Sequence, residues 1–263
     1  MELELNGKRA FVAGSSDGIG RAIAEGLSAE GAHVMLCART ETKLAALADT
    51  MRAAGAKRVE FIAANLDAPE EIERVIGETH AVFGGVDVLV TNNGGPNPGD
   101  FLSMTEDDWL AGYNRTLMSG IRLIRGFLPG MIERGFGRVI NVTSISVKQP
   151  VQRLLLSNTF RAGVTGMAKT LSDEVSKHGV TVNNIAPGYI ATGRQAQLFN
   201  DRAAKAGVTV DQIREQLTAN IPMGRIGTPD EIAHLAVFLA SARSSYMTGT
   251  TIQVDGGLFR GLM

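Results

Sequence analysis

Ala13-Gly14-Ser15-Ser16-Asp17-Gly18-Ile19-Gly20 is the stretch that decides the fold. An apolar run, Arg9–Ala13, leads into it, and a helix-like stretch, Gly20–Glu30, leads out. The spacing is G-x-x-x-G-x-G. Glycines here permit a tight turn and let the backbone approach a pyrophosphate, whose oxygens accept bonds from the free N–H groups of the following helix N-terminus. A glycine pattern alone also suits a tight turn that holds nothing. A strand before it and a helix after it are the context that a dinucleotide site needs. Gly14, Ser15, Ser16, Asp17, Gly18, Ile19 and Gly20 are therefore expected to hold a nucleotide.

The same rhythm continues along the chain. Further strand candidates are His33–Ala38, Val59–Ala63, Val86–Val90, Gly137–Val142, Val180–Ile185 and Thr250–Val254. Helix-like stretches lie between them: Glu41–Ala54, Pro69–Val82, Thr105–Glu133, Val151–Lys177 and Asp230–Ala240. Strands alternating with helices at this spacing build βαβ units. The expected fold class is α/β, with one Rossmann-type doubly wound parallel sheet of about seven strands and helices on both faces. Residues 1–263 read as one domain, without a linker or a low-complexity segment. From Ala191 to Asn220 the chain is polar and helical with no strand, which predicts a substrate lid at about 191–220.

The second strand ends Cys37-Ala38-Arg39-Thr40. An NAD site needs an acid near this point for the ribose 2′-hydroxyl. Ala38 has none to offer, whereas Arg39 suits a 2′-phosphate, so NADP is favoured over NAD.

Bulk composition narrows the class. With 263 residues, 44% hydrophobic and 20% charged, the chain can bury a sizeable core. The net charge of −1, with no basic stripe or polybasic run, argues against nucleic acid and membrane surfaces as partners. Cys37, the one cysteine, excludes an internal disulfide and reads as a buried strand thiol; no Cys/His cluster has metal-ligand spacing, so no metal is expected. Met1 to Lys8 is polar, and no long apolar run follows, which makes a cytoplasmic location the expectation.

Several further motifs stand in order. Asp87-Val88-Leu89-Val90-Thr91-Asn92-Asn93-Gly94 is similar to a D-x-L-V-N-N-A-G segment, and Pro187-Gly188-Tyr189-Ile190-Ala191-Thr192 to a P-G-x-x-x-T loop. Asn141-Val142-Thr143-Ser144 looks like a strand ending in a catalytic serine. Ile221-Pro222-Met223-Gly224-Arg225, Gly227-Thr228-Pro229-Asp230-Glu231-Ile232-Ala233, Phe238-Leu239-Ala240-Ser241, Thr248-Gly249 and Val254-Asp255-Gly256-Gly257 complete the series. Together they resemble the short-chain dehydrogenase/reductase family nearly end to end, most of all its β-ketoacyl carrier-protein reductase branch. The resemblance implies nucleotide contacts from Asn65, Leu66, Asn92, Gly94, Pro187, Gly188, Ile190 and Thr192 as well.

The family works through an Asn-Ser-Tyr-Lys tetrad. Its tyrosine, thirteen residues past the serine, falls at Ser157, and its lysine, four further on, at Arg161. The run Ala162-Gly163-Val164-Thr165-Gly166-Met167-Ala168-Lys169 fixes that register. The asparagine falls at Thr116, so only Ser144 remains of the four. A serine hydroxyl is a far poorer acid than a phenol. Arg161 keeps a charge that can reach ribose hydroxyls but does not relay protons. Thr91 and Asn93 also depart from the family segment. Lys148, four residues past Ser144, reads either as a substitute that polarises a carbonyl or anchors a carboxylate, or as a solvated loop lysine; Tyr189 reads as packing under its loop unless it points inward, and Tyr113 as a core or interface residue.

Three functions follow. The first is an NADP-dependent, 3-oxoacyl reductase-like oxidoreductase acting on a small-molecule carbonyl/alcohol pair. The second is a nucleotide-binding protein with little redox activity, and the third a non-redox enzyme on the same fold. The outward faces of Thr105–Glu133 and Val151–Lys177 are apolar. Relatives pair through the corresponding helices, and the region Val254–Met263 matches a second interface, so a homo-oligomer, a tetramer, is expected.

Overall fold

Seven strands form one parallel sheet in the order β3-β2-β1-β4-β5-β6-β7. They are β1 (Arg9–Ala13), β2 (His33–Ala38), β3 (Val59–Ala63), β4 (Val88–Thr91), β5 (Gly137–Val142), β6 (Val180–Pro187) and β7 (Thr251–Val254). The computed structural model describes residues 2–262, so the Met1 and Met263 ends of the sequence expectations lie outside the described residues. The chain leaves β1 to one side for β2 and β3, then returns to the other side for β4. The order therefore reverses between β1 and β4, and a crevice opens at the strands' carboxyl ends.

Strands covered on both faces are buried along their length, and β2 is correspondingly an almost continuous apolar run, whereas β5 and β6 also bury Arg138, Asn141, Asn183 and Asn184, each hydrogen-bonded through its side chain. On one face, α1 (Gly18–Ala29), α2 (Glu41–Ala53) and α9 (Pro229–Ala240) bury Ile23, Leu27, Leu44, Ile232 and Ala236 against Val12, Leu36 and Val90. On the other, α3 (Pro69–Phe83), α5 (Ser119–Glu133) and α6 (Leu155–Val175) bury Ile72, Leu123, Phe127 and Ala168 against Phe11, Met35 and Leu89. Cys37 lies in this second core, where burial pushes its thiol up to about 12 and keeps it inert.

The long helices and β4 differ from the expectation, while Ala191–Asn220 is helical without a strand as expected. The stretch Thr105–Glu133 is not one helix: α4 (Glu106–Tyr113) is followed by a π-helical turn, Asn114–Met118, before α5. The wide turn withdraws the usual backbone partner from the Arg115 carbonyl, which instead accepts from Ser119 Oγ at 2.6 Å and Asn93 Nδ2 at 3.0 Å. The second long helix starts at Leu155 rather than Val151. The preceding turn is held by Asn158, whose side chain bonds both the N–H and the carbonyl of Val151. The polar stretch Ala191–Asn220 forms α7 (Gly193–Ala206) and α8 (Val210–Thr218), which share a small apolar cluster of their own around Phe199, Ala203 and Ile213. In addition, β4 begins at Val88 rather than Val86.

At the sheet's opposite end one carboxylate gathers three segments. Asp87 accepts from Arg9 Nη2 at 2.6 Å, Arg9 Nε at 2.9 Å, the Arg9 backbone N–H at 3.0 Å and Arg134 Nε at 3.2 Å. Burial pushes the Asp87 carboxyl up, but the Arg9 bonds and the two guanidinium charges outweigh it and hold it below the ordinary carboxylate range. A carboxyl lowered in the folded state lends stability above its unfolded pKa of about 4, and that stability fades as pH falls through the folded value. Asp87→Asn is expected to lower unfolding free energy by about 1.5–3 kcal/mol at about pH 7. The deficit should shrink towards about pH 3, because wild type then loses the same charge. Urea melts at the two pH values check this; a deficit that is equal at both would contradict it.

Candidate active site

The crevice begins where β1 turns into α1. Gly14 and Gly18 have φ of +62° and +54°, values that only glycine adopts without strain. A Cβ on Gly14 would collide with the Asn92 carbonyl oxygen, and one on Gly20 with the Gly14 carbonyl oxygen. Asp17 caps the helix by accepting from the Gly18 N–H at 2.7 Å. Ser15 is fully buried and exchanges bonds with Cys37 of β2, donating its backbone N–H to the Cys37 carbonyl and accepting the Cys37 N–H at 2.9 Å through Oγ. Ser15 and Gly20 thus build the turn from behind, and neither lines the cleft.

The cleft has a volume of about 580 Å³. Gly14, Ser16, Asp17, Gly18 and Ile19 line it, with Arg39, Asn65, Leu66, Asn92, Gly94, Pro187, Gly188, Ile190 and Thr192. Arg39 is exposed at its edge, beside Thr40 and Lys43. Thr192 packs across the opening, its Cγ2 3.0 Å from where a Gly18 Cβ would stand. The donor set fits a dinucleotide. First-turn N–H groups of α1 have no carbonyl within the helix, the glycines leave space that a methyl would fill, and a cationic pair stands at the end of β2. A nucleotide held this way presents a hydride carrier to the far end of the cleft.

That far end carries Ser144, Ser157 and Arg161. Ser144 follows β5 and accepts from the Ser146 N–H at 3.1 Å, which leaves its own O–H free to donate. Ser157 lies one helical turn before Arg161 on α6, and its Oγ accepts from Arg161 Nε at 3.2 Å. Arg161 Nη1 donates to the carbonyls of Val142 at 2.9 Å and Thr143 at 3.0 Å. Nη2 has no partner among the described residues, so two guanidinium protons remain for a ligand. Burial, with the like charge of Arg194, pushes Arg161 down to about 10, which still leaves it charged at neutral pH.

Beneath these residues a ladder of polar side chains crosses four strands in register. Thr91 Oγ1 donates to Asn141 Oδ1 at 2.7 Å, Asn141 Nδ2 to Asn184 Oδ1 at 2.9 Å, and Asn184 Nδ2 to Thr251 Oγ1 at 3.1 Å. The replacement at Thr91 is therefore compatible with a satisfied network. Thr116 lies in the π-helical turn and borders a separate enclosed space of about 20 Å³, shared with Asn93, Asn141 and Arg161. That volume suits a single water, and Thr116 Oγ1 is buried there with no hydrogen-bond partner among the described residues.

Lys148 caps the short 3₁₀ turn Ile145–Val147 and does not line this cleft. Tyr189 borders it, whereas Tyr113 packs against Phe160 on an outer face. Three side chains of the site carried no signal in sequence. Arg115 holds Asp67 at the cleft wall through Nη2 at 2.7 Å and Nε at 2.8 Å. Arg194 and Arg202 reach the cleft from α7, a segment that matches no motif.

Similarity to known proteins agrees with this geometry. The family profile described as enoyl-(acyl carrier protein) reductase matches residues 13–259. The 3-oxoacyl-[acyl-carrier-protein] reductase of Vibrio cholerae is 37% identical over 257 residues, covering 98% of this chain and 99% of that protein. L-sorbose reductase from Gluconobacter frateurii, solved with NADPH and L-sorbose, superposes with a TM-score of 0.95 at 33% identity, with 100% of both chains covered. A 3-oxoacyl (acyl-carrier-protein) reductase from Agrobacterium tumefaciens C58, solved with NADP bound, gives 0.88 at 31% identity, covering 97% of this chain and 95% of that one. With a glycine turn, a crevice at the strand-order reversal and full-length relatives of this kind, the chain belongs to the short-chain dehydrogenase/reductase family.

Proposed function

We propose that the protein is an NADP-dependent oxidoreductase that interconverts a small-molecule carbonyl and its alcohol. One observation carries the reading: a single continuous cleft joins the phosphate-binding turn, Arg39 and the group Ser144, Ser157 and Arg161. NADP supplies the hydride chemistry. The NADPH-bound sorbose reductase and the NADP-bound Agrobacterium reductase support that cofactor.

This chain's residues then have separable tasks. The α1 N-terminus holds phosphate oxygens, Arg39 pairs with a 2′-phosphate, and Arg161 Nη2 reaches ribose hydroxyls or the reacting oxygen. The free O–H groups of Ser144 and Ser157 donate to the substrate oxygen. Arg161, bonded to Ser157 Oγ, polarises that hydroxyl and adds positive charge where an alkoxide develops. Electrostatic stabilisation thus takes the place of a phenolic acid, and the final proton comes from water. Helices α7 and α8 serve as the substrate-selecting lid. The chain acts as one domain and assembles as a cytoplasmic homotetramer through the side bearing Phe101, Leu102, Leu110 and Tyr113, all of which are exposed. Ser157 in the tyrosine position also favours a second reading, a nucleotide-binding protein with little turnover.

Arg39 sets the cofactor preference. Wild type is expected to bind NADPH more tightly than NADH by about 1.5–3 kcal/mol, and Arg39→Ala to abolish most of that gap. Titration by nucleotide fluorescence checks it; equal affinities in wild type would contradict the assignment.

NADPH consumption against small ketones, β-ketoesters and aldehydes separates turnover from binding alone. Ser144→Ala is expected to lower the rate on the order of 10²-fold with cofactor affinity retained. Ser157→Tyr with Arg161→Lys should raise reduction of simple ketones by about 10²–10⁴-fold, because it places a phenol and an ammonium where the family uses them. A wild-type rate insensitive to Ser144→Ala would place the chemistry elsewhere. A double variant that binds cofactor yet stays inert on every carbonyl would remove the reductase reading's main support.

A further inference from the structure

The cleft does not end at Ser157. It continues beneath α7 and α8 into a second chamber of about 560 Å³, and Tyr189, Leu198 and Arg202 border both spaces. Pro150, Val151, Leu154, Ile213 and Leu217 give the chamber an apolar wall, and Gln149, Gln152, Arg153, Asp201 and Lys205 complete its lining. That wall suits the apolar portion of a ligand that reaches in from the reacting centre.

Between the two spaces the charge is one-sided. Of the acids lining the cleft, Asp67 is paired with Arg115 and Asp17 caps α1. Arg161, Arg194 and Arg202 also line it, and none of them forms an ion pair among the described residues. Arg194 reaches across the opening to donate Nη2 to the Pro96 carbonyl at 2.8 Å, with a long 3.4 Å contact from Nη1 to Gln197 Oε1. Arg202 has no side-chain bond among the described residues. Burial and Arg115 lower the Arg194 pKa, opposed by Asp201, and Arg194 in turn lowers that of Arg161. Asp201 faces the chamber and offsets part of this charge, but it forms no ion pair with Arg194 or Arg202 among the described residues, so the half-buried guanidiniums keep donors for an entering anion.

The nucleotide's phosphates do not account for this charge. They have their own donors in the Gly14–Gly20 turn and in Arg39, whereas Arg202 lies where cleft and chamber meet. Arg194 lines the cleft with Ser157 and Arg161 and acts electrostatically on Arg161, so an anion held by Arg194 lies towards the reacting end of the cleft.

We propose that the substrate is an oxo acid: Arg194 and Arg202 hold its carboxylate beside the reacting centre, and its apolar body fills the chamber under α7 and α8. This rests on the reductase reading above. The balanced reaction passes one hydride from NADPH to the carbonyl carbon and one proton from water to its oxygen, giving a hydroxy acid and NADP⁺.

Two measurements test it. The first compares kcat/KM for 2-oxo-4-phenylbutanoate and 3-oxohexanoate with that for their ethyl esters. At least one acid should exceed its ester by on the order of tenfold to a hundredfold, and the preference should collapse towards one in Arg194→Gln with Arg202→Gln, mainly through KM. The second is calorimetric titration of the corresponding hydroxy acids into protein saturated with NADP⁺. The double variant should weaken acid binding by a similar factor and leave NADP⁺ affinity within about twofold. Equal turnover of acids and esters would overturn the proposal while leaving the reductase intact. So would faster turnover of a pantetheine thioester that ignores both arginines, or a loss of NADP⁺ affinity as large as the loss of acid affinity. If no carbonyl is reduced but hydroxy acids bind through the arginines, the anion site stands and the reductase reading falls. If neither turnover nor binding is found, both fall.

Discussion

Everything in the site hangs on a contact that admits no side chain. At the point where the strand order reverses, the turn after β1 lies directly on the end of β4, with the Gly14 backbone against the Asn92 carbonyl and Gly20 against the Gly14 carbonyl. Asn92 Nδ2 faces the carbonyls of Ala13 and Gly14 from the other side, 3.4 Å from each. A methyl group at Gly14 would push the turn off the end of β4, and one at Gly20 would push α1 off the Gly14 carbonyl and the Asn92 side chain. Because the two backbones can touch, the α1 N-terminus points into the crevice, and the loops after β4, β5 and β6 close around the same space.

Ser144, Ser157 and Arg161 sit on a hydrogen-bonded framework. The polar ladder from Thr91 to Thr251 fixes the ends of four strands, and Arg161 ties the last residues of β5 to α6. A lysine at that position would offer one compact ammonium; arginine spreads its donors over two carbonyls and the Ser157 hydroxyl, with two protons left over. The π-helical turn has a related effect, since it frees the Arg115 carbonyl for Asn93 and turns Thr116 towards the small enclosed space. Arg161 thus brings charge and hydrogen-bond donors to Ser157 and to the last carbonyls of β5.

Much of the fold was legible because parallel strands buried on both faces are mostly apolar and because a tight βα turn needs glycine. Arg9–Ala13, His33–Ala38, Val59–Ala63 and Gly137–Val142 needed no adjustment. The break at Asn114–Met118 was not legible: the sequence there has the apolar content of a continuous helix, and the π turn is stabilised by Asn93 and Ser119, which no local rule connects to it. The cofactor end was legible as a motif, with Ser15 and Gly20 proving to be supports rather than lining. Lys148 looked available from its spacing to Ser144, but the 3₁₀ turn at Ile145 carries it out of the cleft. Arg194 and Arg202 were invisible for the opposite reason, since an arginine on a polar helix looks solvated until the helix is folded over a pocket.

The central claim is that this cleft moves a hydride without a phenolic acid. Transfer of deuterium from C4-deuterated NADPH to a carbonyl substrate, read by mass spectrometry of the product, tests it most directly. One deuterium on the carbinol carbon of the product, with equivalent formation of NADP⁺ and labelled product formed on the order of 10²-fold more slowly in Ser144→Ala, is the result expected. Unlabelled substrate and unchanged NADPH, under conditions where both are shown to be bound, would contradict it.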